Sequence, residues 1–164
     1  MKLSKILSIA AVALAAIAFL VALAFPILTL EKDAASVMGS LADEWNTNGI
    51  NAMFGLKFSA FGVSEKIFEF SIKALIVFII GAAGVAGTVV AFLGKGPKWI
   101  GYVAAGCLVV FAVALFIPQY IVTSEILKNA KDVAEKFNNG WAAWVGAIFA
   151  ILGAGCVVAK DFVK

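Results

Sequence analysis

Four long apolar runs dominate this chain, at residues 6–30, 72–93, 99–122 and 141–159. Each is close to the roughly 20 residues that cross a hydrocarbon layer about 30 Å thick. The one charged residue within them is Lys73, at the very start of the second run. In lipid, every backbone N–H and C=O must be satisfied within its own segment, so each run is expected to be a helix. Composition points the same way. Hydrophobic residues make up 63% of the chain and charged residues 14%, whereas a soluble domain is about half apolar and about a quarter charged. A chain of 164 residues cannot hide that excess in a core, because small domains keep much of their surface wet. The expected class is an all-α membrane protein, with one four-helix transmembrane domain over residues 1–164 and the lipid bilayer as its principal partner.

The first run has a second reading. Lys2 and Lys5 precede it, and Ala22-Leu23-Ala24 resembles a signal-peptidase site. The run is longer than the roughly 7–15 apolar residues of a signal sequence, and Pro26 lies just beyond the cut. Retention as a spanning helix is therefore the expectation.

Residues 31–71 and 123–140 form two longer connections, and residues 94–98, Gly-Lys-Gly-Pro-Lys, form a tight one. Lysine placement near the span ends sets orientation. With Lys73 set aside, six lysines fall on each side, so the count alone does not decide. Their company does: Lys2, Lys5, Lys95 and Lys98 have no acidic neighbours, whereas lysines of the longer connections alternate with Asp and Glu. Both termini and the tight turn are then expected in the cytoplasm, with both longer segments outside. The basic set is entirely lysine, as an AT-rich bacterial genome would favour, and a bacterial cytoplasmic membrane is the expected location.

Within 31–71, Ala34, Val37, Met38, Leu41 and Trp45 recur at helical spacing, and Asn46-Thr47-Asn48-Gly49 breaks that pattern. Residues 50–60 then alternate apolar and polar, which reads as strand or hairpin with bends at Gly55 and Gly62. Ser64-Glu65 reads as the start of the second helix. In 123–140, Ile126, Ala130, Val133 and Phe137 share a helical face, opposite i,i+4 pairs such as Lys128 and Asp132. Asn138-Asn139-Gly140 would stop that helix. The third span is expected to run outward through Thr123, kinked near Pro118.

The chemistry-bearing residues are sparse. There is no Arg and no His. The first absence removes the bidentate fork used on phosphates and guanine, which argues against nucleic acid as a partner. The second removes the commonest general base and metal ligand, so no catalytic, cofactor-binding or metal residues are assigned and no enzyme is expected. No ionisable residue sits at mid-span, so a carboxylate proton relay is not expected. Pro26 and Pro118 lie near span ends, where kinks or termini explain them better than a transporter site.

Cys107 and Cys156 lie in apolar runs and read as small packing residues. On antiparallel spans they sit at different depths, about 12 Å and about 5 Å from the nearer ends at 1.5 Å per residue. That offset disfavours a disulfide. Trp99, Tyr102, Tyr120, Trp141 and Trp144 form the aromatic belt of interface positions.

Small residues recur at helix-packing spacing: Gly81, Gly84 and Gly87 in the second span, Gly146 and Gly153 in the fourth, and an alanine series in the first. They allow close helix approach in lipid. Packing within one bundle is the plainer reading; a homo-oligomer interface is the sharper one. Trp45, Phe54, Phe58 and Phe61 form a candidate outer contact surface. A packed extracellular cap is the plainer reading of these residues, and an exposed contact surface the sharper one.

Four spans, cytoplasmic termini, a large first outer loop with a strand-like stretch, a short inner turn and an outward-extended third helix together resemble the claudin-like tetraspan architecture. The resemblance covers most of the chain and is one of topology. The claudin loop signature of Trp, Gly-Leu-Trp and two cysteines is absent; Trp45 and Gly55-Leu56 are all that correspond. The resemblance implies an arrangement of helices and no site residue or sealing activity. The expected function is that of a non-enzymatic scaffold, adhesion element or accessory subunit of a membrane assembly. The alternative is a small oligomeric channel or transporter component.

Overall fold

The computed structural model describes residues 3–31, 46–60, 63–94, 96–122 and 137–163, with the backbone alone over 56–60 and 63–68. The expected helices at Ala34–Trp45 and across 126–136 lie outside the described residues, as do Gly62 and Thr123. Four helices are long and apolar enough to cross a membrane. They are α1 (Leu3–Ala24), α3 (Ile72–Leu93), α4 (Trp99–Phe116) and α6 (Trp141–Ala159). Their 22, 22, 18 and 19 residues correspond to about 27–33 Å of axial rise.

α1 packs against α3 and α6, and α4 packs against the same two helices. α1 and α4 run toward the end of the bundle that carries a small sheet, and α3 and α6 run away from it. Every neighbouring pair is thus antiparallel, as the tight turn at 94–98 requires for α3 and α4. At the opposite end α3 stops at Gly94, whose left-handed φ of 65° closes the helix before the turn into α4.

Between the helices the packing is close because the residues are small. Ala11, Ala15, Ala18 and Ala22 are the buried positions of α1. A Cβ added at Gly146 would lie 3.2 Å from the Ala18 carbonyl oxygen, and one at Gly153 would lie 3.3 Å from the Ala15 nitrogen. On the α3–α4 side, a Cβ at Gly81 would meet the Phe111 ring at 2.8 Å, and one at Gly84 would meet Leu108 at 3.0 Å. At Gly87 the approach is tightest, 2.7 Å from the Ala104 Cβ. All five glycines singled out in the sequence therefore lie against other helices of the same chain. The space between helices is filled by Phe19, Phe78 and Phe111, whose ring centroids are 5.5–6.0 Å apart in edge and tilted arrangements, with fully buried Leu108 and Leu115.

The first apolar run is not one helix. It is helical to Ala24 and becomes strand β1 (Pro26–Leu30). Pro26 supplies no N–H and would break the helix it followed, whereas the first position of a strand tolerates it. The third run is divided too. α4 ends at Phe116, and after Ile117 a single turn, α5 (Pro118–Ile121), follows with proline at its start. The Ile117 backbone, at φ −127° and ψ 51°, is the break.

Residues 50–54, read as strand from their alternation, are instead helical, in α2 (Gly49–Phe54). Two local signals outweigh the alternation. The Asn48 side chain caps α2 by accepting from the Asn51 N–H at 2.9 Å, and Gly55, at φ 86°, ends it. The hairpin follows, formed by β3 (Leu56–Ala60) and β4 (Val63–Phe68). Ser64 and Glu65 are strand residues there, opposite Ser59 and Phe58. Ser71 is the cap of α3, accepting from the Ala74 N–H. The stop expected at Asn138-Asn139 is also a strand, β5 (Phe137–Asn139).

Candidate functional site

The sheet end of the bundle gathers polar groups that the spans exclude. β1 is the central strand of a three-stranded antiparallel sheet, flanked by β2 (Thr47–Asn48) and β5. Leu28 pairs with both Thr47 and Asn139. Ile27 and Leu28, consecutive in β1, are both fully buried. One strand after the first span thus joins the two longer connections, which are far apart in sequence.

Four hydrogen bonds fix this arrangement to the helix ends. The Asn139 amide donates to the Phe116 carbonyl at 2.7 Å, the position where α4 loses its helical partner because of the break before Pro118. The Gly140 N–H donates to the Ile27 carbonyl at 2.8 Å. The Ser71 hydroxyl donates to the Ile121 carbonyl, tying the start of α3 to the end of α5. The Ser71 N–H donates to the Met53 carbonyl at 3.1 Å. A buried carbonyl left without a donor costs about 1–3 kcal/mol, so these bonds answer the orphan groups that helix ends leave. Thr47 is the exception: its hydroxyl is buried with no hydrogen-bond partner among the described residues.

Gly140 is required here by space. A Cβ at this position would collide with the Pro26 carbonyl oxygen and lie 2.8 Å from its carbon. Only a bare backbone lets α6 begin directly beside β1. Gly49 is similarly placed, against the Phe78 ring and 2.7 Å from the Ala22 carbonyl oxygen.

Of the proposed outer contact surface, Phe54 is 64% exposed on α2, and Phe58 occupies a strand position opposite Glu65. Trp45 and Phe61 lie outside the described residues. Of the belt residues, Trp141 meets the Phe25 ring in a tilted arrangement and Trp144 meets Phe116 edge to face, at 5.0 and 5.3 Å between centroids. Cys107 and Cys156 are half-buried free thiols on α4 and α6. Among the described residues, no group of three or more His, Cys, Asp or Glu side chains comes together. The buried polar side chains among them are Thr47, Ser71 and Thr88, and the Thr88 hydroxyl is bonded to the Val85 carbonyl within its own helix.

Sequence reasoning missed β1, β5, Ser71 and Asn139. Pro26 and the Asn138-Asn139-Gly140 stop were visible signals, but both read equally well as helix ends. Comparison with protein-family models, with curated proteins and with solved structures returns no match.

Proposed function

We propose that this chain is a tetraspan integral membrane protein that acts without catalysis, as a scaffold, adhesion element or accessory subunit of a membrane assembly. The observation that carries this reading is the joining of both long connections by β1. A chain that needed its connections only as links would not order them into one platform across more than a hundred residues of sequence. The platform is the part of the molecule that differs from a plain bundle, so it is where recognition belongs. In this reading the sheet end is outside, the turn end and both termini are in the cytoplasm, and the membrane is the bacterial cytoplasmic membrane. The absence of acidic neighbours around Lys2, Lys5, Lys95 and Lys98 supports that orientation. The likeness to claudin-like tetraspans is supported by four spans with two outer segments knitted together.

Packing argues against the channel alternative for a single copy. Phe19, Phe78, Phe111, Leu108 and Leu115 fill the middle of the bundle, and a polar path would have to displace them. The decisive experiment weighs the complex purified in mild detergent from its own membrane. A fixed stoichiometric assembly with another membrane protein is expected. A homo-oligomer that conducts ions in liposomes would overturn the proposal and establish the alternative. Single cysteines at Ser59 and Lys95 test orientation in intact cells, and labelling of position 95 from outside would reverse it.

A further inference from the structure

The short helix α2 and the residue that precedes Ser71 form an exposed apolar patch at the sheet end. Ile50, Phe54 and Phe70 are 46%, 64% and 54% exposed. They are neighbours. Ile50 and Phe54 are one helical turn apart, and the Met53 carbonyl accepts the Ser71 N–H, which sets Phe54 and Phe70 side by side. The opposite face of α2, made of Gly49, Ala52 and Met53, is buried against α1 and α3. This helix therefore shows apolar side chains in both directions, and it contains no charged residue. An apolar face left toward water costs about 25 cal/mol for each Å² that could be buried.

Depth explains where that face goes. Gly49 lies against the Ala22 carbonyl and the Phe78 ring. Ala22 is two residues before the end of α1, and Phe78 is six residues inside α3. Asn48, just before α2, pairs with Pro26 and donates to the Ala24 carbonyl, so α2 begins level with the end of α1. The Met53–Ser71 bond ends it level with the start of α3. Phe70 leads through Ser71 into Ile72, Ile76 and Ile79, one helical row of α3 that is 63%, 51% and 58% exposed. Irregular backbone at the rim of the spans is tolerated where protein covers it, and the buried face of α2 is covered in that way.

We propose that Ile50, Phe54 and Phe70 are embedded in the acyl-chain region of the outer leaflet, so that the lipid surface itself is the partner of this patch. Phe54 and Phe70 flank the β3–β4 hairpin, separated from it by Gly55 and Glu69. The hairpin's root is therefore clamped by the Met53–Ser71 bond and anchored in lipid on both sides. A two-stranded hairpin is marginal in water by itself, and a root fixed at the membrane surface holds it in one place. The inference rests on the membrane reading above.

Site-directed spin labelling separates the two. In a background with Cys107→Ala and Cys156→Ala, nitroxides are attached singly at Phe54→Cys, Phe70→Cys, Ile76→Cys and Asn138→Cys, and the protein is reconstituted in phosphatidylcholine vesicles. Labels at 54, 70 and 76 are expected to collide with oxygen several-fold more, relative to a water-soluble nickel chelate, than the label at 138. If 76 shows that lipid signature while 54 and 70 behave like 138, the anchored root is overturned and the membrane reading stands. If 76 also behaves like 138, the membrane reading itself fails. Labels at 54 and 70 that are shielded from both reagents and broadened by a neighbouring copy would overturn the proposal in favour of a self-association surface.

Discussion

Along α1 and α6, helices meet through bare backbone: Gly146 and Gly153 lie against main-chain atoms of Ala18 and Ala15, and no hydrogen bond between side chains is involved. At the sheet end, the same two helices are joined through Gly140 N–H to Ile27 carbonyl, while Asn139 reaches across to Phe116. On the proposed membrane reading, the difference follows from what surrounds each region. In lipid, apolar contact brings no hydrophobic gain between helices, so association depends on close approach and van der Waals contact. Where helices break and strands begin, orphan N–H and C=O groups appear, and the fold is specified by which donor reaches which carbonyl. The bundle is a problem of shape, and its sheet end a problem of hydrogen-bond accounting.

Five substitutions sharpen that contrast. Gly140→Ala is expected to be the most damaging, since its Cβ would strike the Pro26 carbonyl and neither backbone can withdraw. A loss of about 3 kcal/mol or more should appear as failure to recover monodisperse protein in mild detergent. A variant that melts like the parent would show that the start of α6 is free to move away from β1. Gly87→Ala tests the shape argument in the bundle. Overpacking against Ala104 should cost about 2 kcal/mol, read as a lower midpoint in SDS-induced unfolding. An unchanged midpoint would mean that α3 and α4 separate easily.

Asn139→Ala removes one donor and leaves the Phe116 carbonyl without it. We expect a loss of about 1 kcal/mol in the same titration, together with faster hydrogen exchange at the sheet-end backbone and unchanged exchange within the spans. Equal acceleration in both regions would contradict the division drawn here. The smallest effect is expected for Gly106→Ala and Gly155→Ala. A Cβ at either position meets nothing within 4 Å, so the helical preference of alanine over glycine should stabilise each by about 0.5 kcal/mol. Destabilisation of either would reveal that these faces pack against another copy.

The four long helices were legible because nearly uncharged runs of spanning length favour a backbone satisfied within its own segment. The bounds of α3 and α6 coincide with their apolar runs, since Ser71 and Gly94 at one and Gly140 and Lys160 at the other punctuate them locally. Hydropathy could not find β1, because Ile27, Leu28 and Leu30 are as apolar as the helix before them. It could not find α2 either, where a three-residue alternation imitates a strand. In both places the deciding signal is a single residue: Pro26 for one, the Asn48 cap for the other. Of the candidate outer contact residues, Phe54 stands exposed on α2, a placement that the sequence pattern did not show.

The sequence by itself determined four apolar helices, the small residues through which they approach, and the scarcity of groups able to titrate or bind metal. Those follow from local composition and from the cost of an unsatisfied backbone in lipid. Tertiary structure alone decided that β1 joins two connections, that Asn139 completes the broken end of α4, and that α2 packs against α1 and α3. Each depends on a donor and an acceptor, or a glycine and its neighbour, that are distant in the chain, and no local pattern records which distant partner a residue will meet.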